Sequence, residues 1–311
     1  MPEPPAHAQP RHRIQVETTM FKGSITALIT PMNEDGSLDL PSMGRFIDWQ
    51  VQQGASALVP VGTTGESPTL THDEHAKVVE FTIKSVAGRV PVIAGAGSNS
   101  TAEAVAMAQQ AQQAGASGVL VVTPYYNKPT QEGVYRHFMA VADAISIPLI
   151  LYNIPGRSVI DISVETMARL AQHPNIIGVK DSTANLLRPL LVRRAVKKPF
   201  NQISGEDGTA VSFLAAGGDG CISVTANVAP ALCAQVQQNW NDGHVMEAME
   251  LQDRLLPLHD ALFCESNPVP VKFAASVLGL MGETCRLPLA PLSDASREKV
   301  KAALSTVGLL D

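Results

Sequence analysis

Short apolar runs of strand length alternate with segments of helical spacing along most of the chain. The runs at 24–30 (SITALIT), 57–62 (ALVPVG), 91–97 (PVIAGAG), 118–124 (GVLVVTP), 148–153 (PLILYN), 176–182 (IIGVKDS), 201–205 and 220–226 (GCISVTA) predict eight strands. They are apolar throughout and do not alternate with polar residues. Strands buried on both faces have this pattern, which points to a parallel sheet. Between them, helices are predicted at 40–51, 71–86, 101–114, 131–144, 163–172, 185–196, 209–216 and 231–240. Leu40, Met43, Phe46, Ile47 and Val51 share one face of the first, and Gly54 stands as its stop. Thr71 and Glu74 form a capping box, Gly115 ends the third helix, and Pro189 kinks the sixth or sits near its start. Eight β/α units predict an α/β chain folded as a (β/α)8 TIM barrel. An open doubly wound sheet is the alternative, but no GxGxxG follows the first strand, and Gly95-Ala96-Gly97 lacks the third glycine.

Beyond residue 243 the strands stop. Segments 245–262, 269–280 and 294–307 read as helices, joined by the proline-rich stretches at 267–270 and 287–291. The expected organisation is a barrel catalytic domain over 20–242 and a C-terminal helical appendage over 243–311. Residues 1–19 are proline-rich and lack an apolar core, so they are expected to be a disordered extension and not a secretory signal.

The composition narrows the function classes. Of 311 residues 45% are hydrophobic, enough for a large core, and the formal net charge is -6. An acidic chain without basic blocks argues against nucleic acid and anionic membrane surfaces. No apolar run approaches the roughly 20 residues of a membrane span. Cys221, Cys233, Cys264 and Cys285 have no CxxC spacing and read as reduced thiols of a cytoplasmic protein. No His/Asp/Glu cluster has metal-ligand spacing, so neither a metal nor another cofactor is expected.

Active sites of such barrels lie at the carboxyl ends of the strands. Those ends carry Thr63, Thr64, Gly65 and Glu66; Thr123, Tyr125 and Tyr126; Tyr152, Asn153 and Arg157; Lys180 and Asp181; and Gly205, Glu206 and Asp207. Three of the four tyrosines fall there. A lysine that burial keeps partly neutral is a nucleophile able to form a Schiff base with a ketone. Tyr152 has the hydroxyl for a proton relay, positioned by Thr63. Thr63 and Thr64 can hold a carboxylate, and Arg157 can bind one bidentately. The plainer reading of Lys180 is a strand-end cation reaching solvent or paired with Asp181 or Glu206.

GTTGES at 62–67, VTPYYNKP at 122–129, YNIPGR at 152–157, GVKDST at 178–183 and SVTANV at 223–228 resemble the dihydrodipicolinate synthase family. That family belongs to the N-acetylneuraminate lyase superfamily of class I aldolases, and the likeness runs from about residue 20 to 310. It implies condensation of pyruvate, as a Schiff base on Lys180, with L-aspartate 4-semialdehyde on the route to diaminopimelate and lysine. It further implies a relay of Thr63, Tyr152 and Tyr126, with Tyr126 reaching into a neighbouring subunit's site. Thr64 is expected to hold the pyruvate carboxylate and Arg157 that of the semialdehyde, while Gly205 and Ile222 line the pyruvate pocket. Ser67, His72, His75, Asn99, Glu103 and Tyr125 match positions that bind lysine as feedback inhibitor, and Pro68 stands where members vary. A homotetramer built as a dimer of dimers is expected. The alternatives are a sugar-acid aldolase of the same superfamily and a silent sensor of lysine or a keto acid. The Thr63-Thr64 pair and Arg157 favour the synthase over neuraminate lyases.

Overall fold

The computed structural model describes residues 21–310; the extension expected over 1–19 lies outside them. Strand and helix alternate as β1 (Gly23–Ala27), α1 (Leu40–Gln52), β2 (Ala57–Val59), α2 (His72–Val86), β3 (Ile93–Gly95), α3 (Thr101–Ala114), β4 (Gly118–Val122) and α4 (Gln131–Asp143). They continue as β5 (Leu149–Asn153), α5 (Pro155–Ser158), α6 (Val164–Leu170), β6 (Ile176–Asp181), α7 (Arg188–Ala195), β7 (Asn201–Ser204), α8 (Ala210–Ala215), β8 (Gly220–Ser223) and α9 (Pro230–Asn241). Helices α10 (Val245–Ala261), α11 (Val269–Val277) and α12 (Asp294–Thr306) complete the chain. All strand pairs are parallel, in the order β2-β1-β8-β7-β6-β5-β4-β3. A parallel bridge between Leu58 and Val92 joins β2 to β3 and closes the barrel.

Helix starts follow the local chemistry. Thr71 and Glu74 cap α2 reciprocally, Ser100 accepts the Glu103 N–H at the head of α3, and Ser163 accepts that of Thr166 at α6. Gly115 ends α3 at a φ of 93°, where a side chain would be strained. Pro189 lies in the first turn of α7, where its missing N–H costs nothing, so it starts that helix and does not kink it.

Several strands are shorter than their apolar runs. The 57–62 run stops at Val59 because Val61 takes a left-handed φ of 49°. Gly95 and Gly65 then pack on the Val61 backbone, so tightly that a Cβ on Gly95 would lie 2.3 Å from the Val61 carbonyl oxygen. The 220–226 run stops at Ser223, because the Asp207 carboxylate accepts the Val224 and Thr225 N–H groups and winds residues 225–227 into a 3-10 turn. The turn α5, which carries Arg157, has no helical pattern long enough to be anticipated.

The core has two layers. Ile25, Val59, Ile93, Leu120, Ile150, Ile203 and Ile222 fill the barrel, with Tyr152 above them. The outer faces of the strands pack on the helices in a second cluster, which also takes in Leu255, Leu258, Val271, Ala274, Val300 and Leu304 of α10–α12. The appended helices therefore share one core with the barrel's outer layer.

One irregularity decides where the central lysine points. Across β5 and β6 the register shifts by one residue: Leu149 faces Ile176, but Ile150 faces Gly178. Ile177 is the extra residue. It points into the barrel, whereas Ile176 and Val179 pack outside. Strict alternation from Ile177 would have turned Val179 inward and Lys180 outward; the inserted residue reverses this. Gly178 stands at the shift, and a Cβ there would lie 2.5 Å from the Asn201 carbonyl oxygen.

Candidate active site at the carboxyl rim of the barrel

Lys180 is 6% exposed and lies in register with Tyr152 on the neighbouring strand. Its Nζ sits 4.2 Å from the centre of the Tyr152 ring, close enough for the ring's π face to favour the cation. The carboxylate next to it in sequence faces the other way. Asp181 accepts from Thr183 N and Oγ1, from Arg188 Nε at 3.0 Å and from Asn153 Nδ2 at 3.4 Å. Arg188 continues to Asp161 at 2.8 Å. Asp181 is thus spent on Arg188, and the pairing with Lys180 considered above is not formed. Burial, with Asp207 beside it, pushes the Glu206 carboxyl above its ordinary range, and the charge of Lys180 opposes the shift.

Gly205 must be glycine for the lysine to lie where it does. A Cβ there would come within 2.9 Å of Lys180 Cε and 1.9 Å of Ser182 Oγ. Its N–H donates to the Asp181 carbonyl at 2.7 Å, extending the β6–β7 ladder by one bond. Ile222 lies lower in the barrel as part of the interior layer.

A cavity of about 350 Å³ opens at this rim. Thr63, Tyr152 and Arg157 line one part of it. Ser67, His72, His75, Glu103 and Tyr125 also line it, together with Pro68. Lys180, Thr64, Gly205, Ile222, Asn99 and Tyr126 are not on its wall. Lys180 lies behind Tyr152, which faces both. Asn99 contributes only its carbonyl, which accepts from Asn127 Nδ2 at 2.9 Å. Tyr126 is 86% exposed in a left-handed φ of 71°. Among the described residues no hydrogen bond joins Thr63 to Tyr152.

The two parts of the cavity differ in charge. Burial pushes His75 down to about 4, an effect that His72 reinforces and a hydrogen bond to the Gly95 backbone opposes, so His75 is neutral near pH 7. Ser98 Oγ donates to Glu103 at 2.7 Å. This end therefore offers a carboxylate beside neutral imidazole, whereas Arg157 brings a cation to the other.

Three residues far away in the chain hold the rim, and none was apparent as a site residue in the sequence. Asn267, between α10 and α11, donates through Nδ2 to Thr64 Oγ1 at 3.0 Å, and its carbonyl accepts from Arg157 at 3.2 Å. Lys272 of α11 pairs with Glu66 at 2.6 Å, both side chains fully buried. The second Glu66 oxygen accepts the Arg286 N–H, and the Arg286 guanidinium binds Glu74, Thr69 and Gly36. Arg286 in turn holds the Glu74 carboxyl down to about 2. The sequence signal was a lysine inside the apolar run VPVKFAAS, which needs a buried anion as partner.

Backbone strain gathers at the same rim. Val61, Glu66, Tyr126, Lys128, Val159 and Ala184 adopt left-handed φ values, all on loops that follow β2, β4, β5 and β6 at their carboxyl ends. Each costs on the order of 1–3 kcal/mol, and such strain concentrates at functional sites.

A closed parallel barrel with a lysine and a tyrosine buried side by side at its carboxyl rim defines a lyase of the class I aldolase type. Within that class the chain belongs to the dihydrodipicolinate synthetase family, whose model matches residues 20–307. It is 73% identical over 297 residues to the 4-hydroxy-tetrahydrodipicolinate synthase of Gluconacetobacter diazotrophicus, covering 95% of this chain and 100% of that one. The chloride-inhibited dihydrodipicolinate synthase of Acinetobacter baumannii, crystallised with pyruvate, is 44% identical and superposes with a TM-score of 0.91, over 94% of this chain and 100% of that one. The lysine-bound enzyme of Cyanidioschyzon merolae is 37% identical with a TM-score of 0.91 and the same coverage.

Replacing Lys272 by methionine leaves Glu66 buried without its cation, and unfolding by urea should show a loss of about 3–5 kcal/mol. The double variant Lys272→Met with Glu66→Gln should recover much of that loss. A single-variant loss under about 1 kcal/mol would place the pair with weak surface bridges.

Proposed function

We propose that the chain is a 4-hydroxy-tetrahydrodipicolinate synthase, condensing pyruvate with L-aspartate 4-semialdehyde in lysine and diaminopimelate biosynthesis. The observation that carries this is Lys180, turned into the barrel against the Tyr152 ring, behind a cavity that also holds Thr63 and Arg157. Membership of the family and the high identity to curated synthases support it.

The chemistry follows from the placement. The amine of Lys180 attacks the ketone carbon of pyruvate, water leaves, and an iminium forms. The iminium draws electrons from the methyl carbon, which gives up a proton to become an enamine. Tyr152 carries a hydroxyl and lies in register with Lys180, so it is the group assigned to move that proton, with Thr63 and Tyr126 as its relay. Thr64, whose hydroxyl accepts from Asn267, is the group assigned to receive the pyruvate carboxylate. Arg157 stands on the solvent side to take the carboxylate of the semialdehyde. The enamine attacks the aldehyde, and the amine of the second substrate then displaces Lys180 from the iminium carbon, closing the ring. Residues 20–242 carry these groups as the catalytic domain, and 243–311 form the helical appendage that braces them. No helix of the described residues is long and apolar enough to cross a membrane; the pathway assigns the enzyme to the cytoplasm.

The test is mass spectrometry after pyruvate and borohydride. A reduced pyruvyl adduct on Lys180 is expected, in lower yield when the semialdehyde is added, because turnover drains the imine. No adduct would sink the reading. An adduct indifferent to the semialdehyde would transfer it to a sugar-acid aldolase.

The other end of the cavity is proposed to bind lysine as feedback inhibitor, through Ser67, His72, His75, Glu103 and Tyr125 on its wall, with Asn99, which lies off the wall, as the sixth expected position. Glu103 supplies the anion for an ammonium, and neutral His75 adds no repulsion. Glu103→Gln should raise the lysine concentration for half-inhibition about tenfold or more, at little cost to uninhibited turnover; unchanged inhibition would refute the assignment. Tyr126, exposed in one protomer, is expected to complete the site of a second within a tetramer. Sedimentation equilibrium should give four chains, and a fully active monomer would remove Tyr126 from the relay.

A further inference from the structure

Ser182 is the first residue beyond β6. It falls two places after Lys180, and its own N–H donates to the Asn153 carbonyl at 2.9 Å, keeping the strand geometry. Residues two apart in a strand share a face, so Ser182 points into the barrel mouth as Lys180 does, while Asp181 points out to Arg188. Its Oγ is fully enclosed and has no hydrogen-bond partner among the described residues. The neighbouring hydroxyl, that of Thr183, is committed to Asp181. Ser182 Oγ and Lys180 Cε close on the same bare Cα, that of Gly205, where any side chain would strike both.

A buried hydroxyl without a partner is unfavourable unless something supplies one when the protein works. Here it packs on Gly205, on which the carbon that carries the reacting nitrogen also closes. It also lies two residues, or about 6–7 Å, further along the strand toward the open rim. Tyr152 sits level with Lys180, whereas Ser182 lies level with Gly205, nearer the open rim from which a second substrate would enter.

We propose that the Ser182 hydroxyl donates a hydrogen bond to the aldehyde oxygen of the second substrate as the carbon–carbon bond forms. This rests on the reading of the site as the centre that joins pyruvate to a semialdehyde. In that step the enamine carbon bonds to the aldehyde carbon, and the C=O electron pair moves onto oxygen. The oxygen then takes the proton that the relay removed from the pyruvate methyl. Ser182 holds the developing negative oxygen without giving up its own proton, so it acts as an oxyanion donor. It is the specificity element for the aldehyde and has no part in Schiff-base formation.

The experiment compares two stages in the full-length enzyme. For Ser182→Ala, the borohydride-trapped pyruvyl adduct on Lys180 should form at the wild-type rate, which also shows that the variant folds. Its kcat/KM for aspartate 4-semialdehyde should fall by at least about tenfold. Ser182→Cys, which keeps a weak donor of similar size, should fall between the two, and it carries the test if the alanine variant does not fold. Unchanged kcat/KM for the semialdehyde would overturn the proposal. So would an equal loss in adduct formation, which would assign Ser182 to the placement of Lys180. Failure of the wild-type enzyme to form any pyruvyl adduct is a separate result, which refutes the parent reading before Ser182 is involved.

Discussion

The site depends on one register shift. Ile177 and Gly178 together face a single position of β5, and this extra residue turns Lys180 into the barrel. The side-chain period of a strand is two, so without the insertion the same sequence would turn Val179 into the barrel and send the lysine to the helices. Every later feature follows from that turn. Tyr152 meets the lysine in register, Asp181 is directed outward to Arg188, Ser182 returns inward, and Gly205 must lack a side chain. The insertion is tolerated because Gly178 has no Cβ to strike Asn201.

A lysine inside an apolar barrel is costly, and the surroundings lower that cost without pairing it to a carboxylate. A carboxylate in direct contact would have stabilised the ammonium and suppressed its nucleophilicity. The π face of Tyr152 offers a weaker attraction, on the order of 0.5–2 kcal/mol, and leaves the nitrogen able to react. The chain uses full ion pairing elsewhere. Glu66 and Lys272 are completely buried and bonded at 2.6 Å, where the task is to fix a loop and not to react. Two buried lysines in one protein thus have opposite partners and opposite uses.

The local rules of the chain were readable in its residues. Eight apolar runs, the Thr71–Glu74 capping box, the Gly115 stop and the Thr63, Tyr152, Arg157 and Lys180 rim positions are each set within a few residues, and the structure has them where the pattern put them. What could not be read is whatever depends on distant partners. Glu66 was visible as a polar strand end, but its partner lies 206 residues on, and nothing in either neighbourhood names the other. Asn267 looked like part of a proline-rich joint, yet it binds both Thr64 and Arg157. The inward turn of Lys180 was assumed from its place at a strand end, whereas it is produced by pairing with β5, which no single strand's pattern contains. The early stop of β2 and β8 has the same origin, since Val61 and Thr225 turn where other strands' groups meet them.

The same long-range contacts bind the two ends of the cavity into one mechanical unit. Residues 62–71 carry Thr63 and Ser67 along the cavity wall and lead into the head of α2, with His72 and His75. Glu66 lies between them in a left-handed turn, clamped by Lys272 and by the Arg286 N–H. A group in that position cannot shift without breaking a buried ion pair, so the loop moves as a whole or stays. A ligand held by Ser67 and His72 influences Thr63 only if it favours one placement of the whole loop over another. The strained backbone at Val61 and Glu66 supplies the alternative, because a loop already lifted by a few kcal/mol has less to lose by rearranging. The clamp on Glu66 opposes that rearrangement.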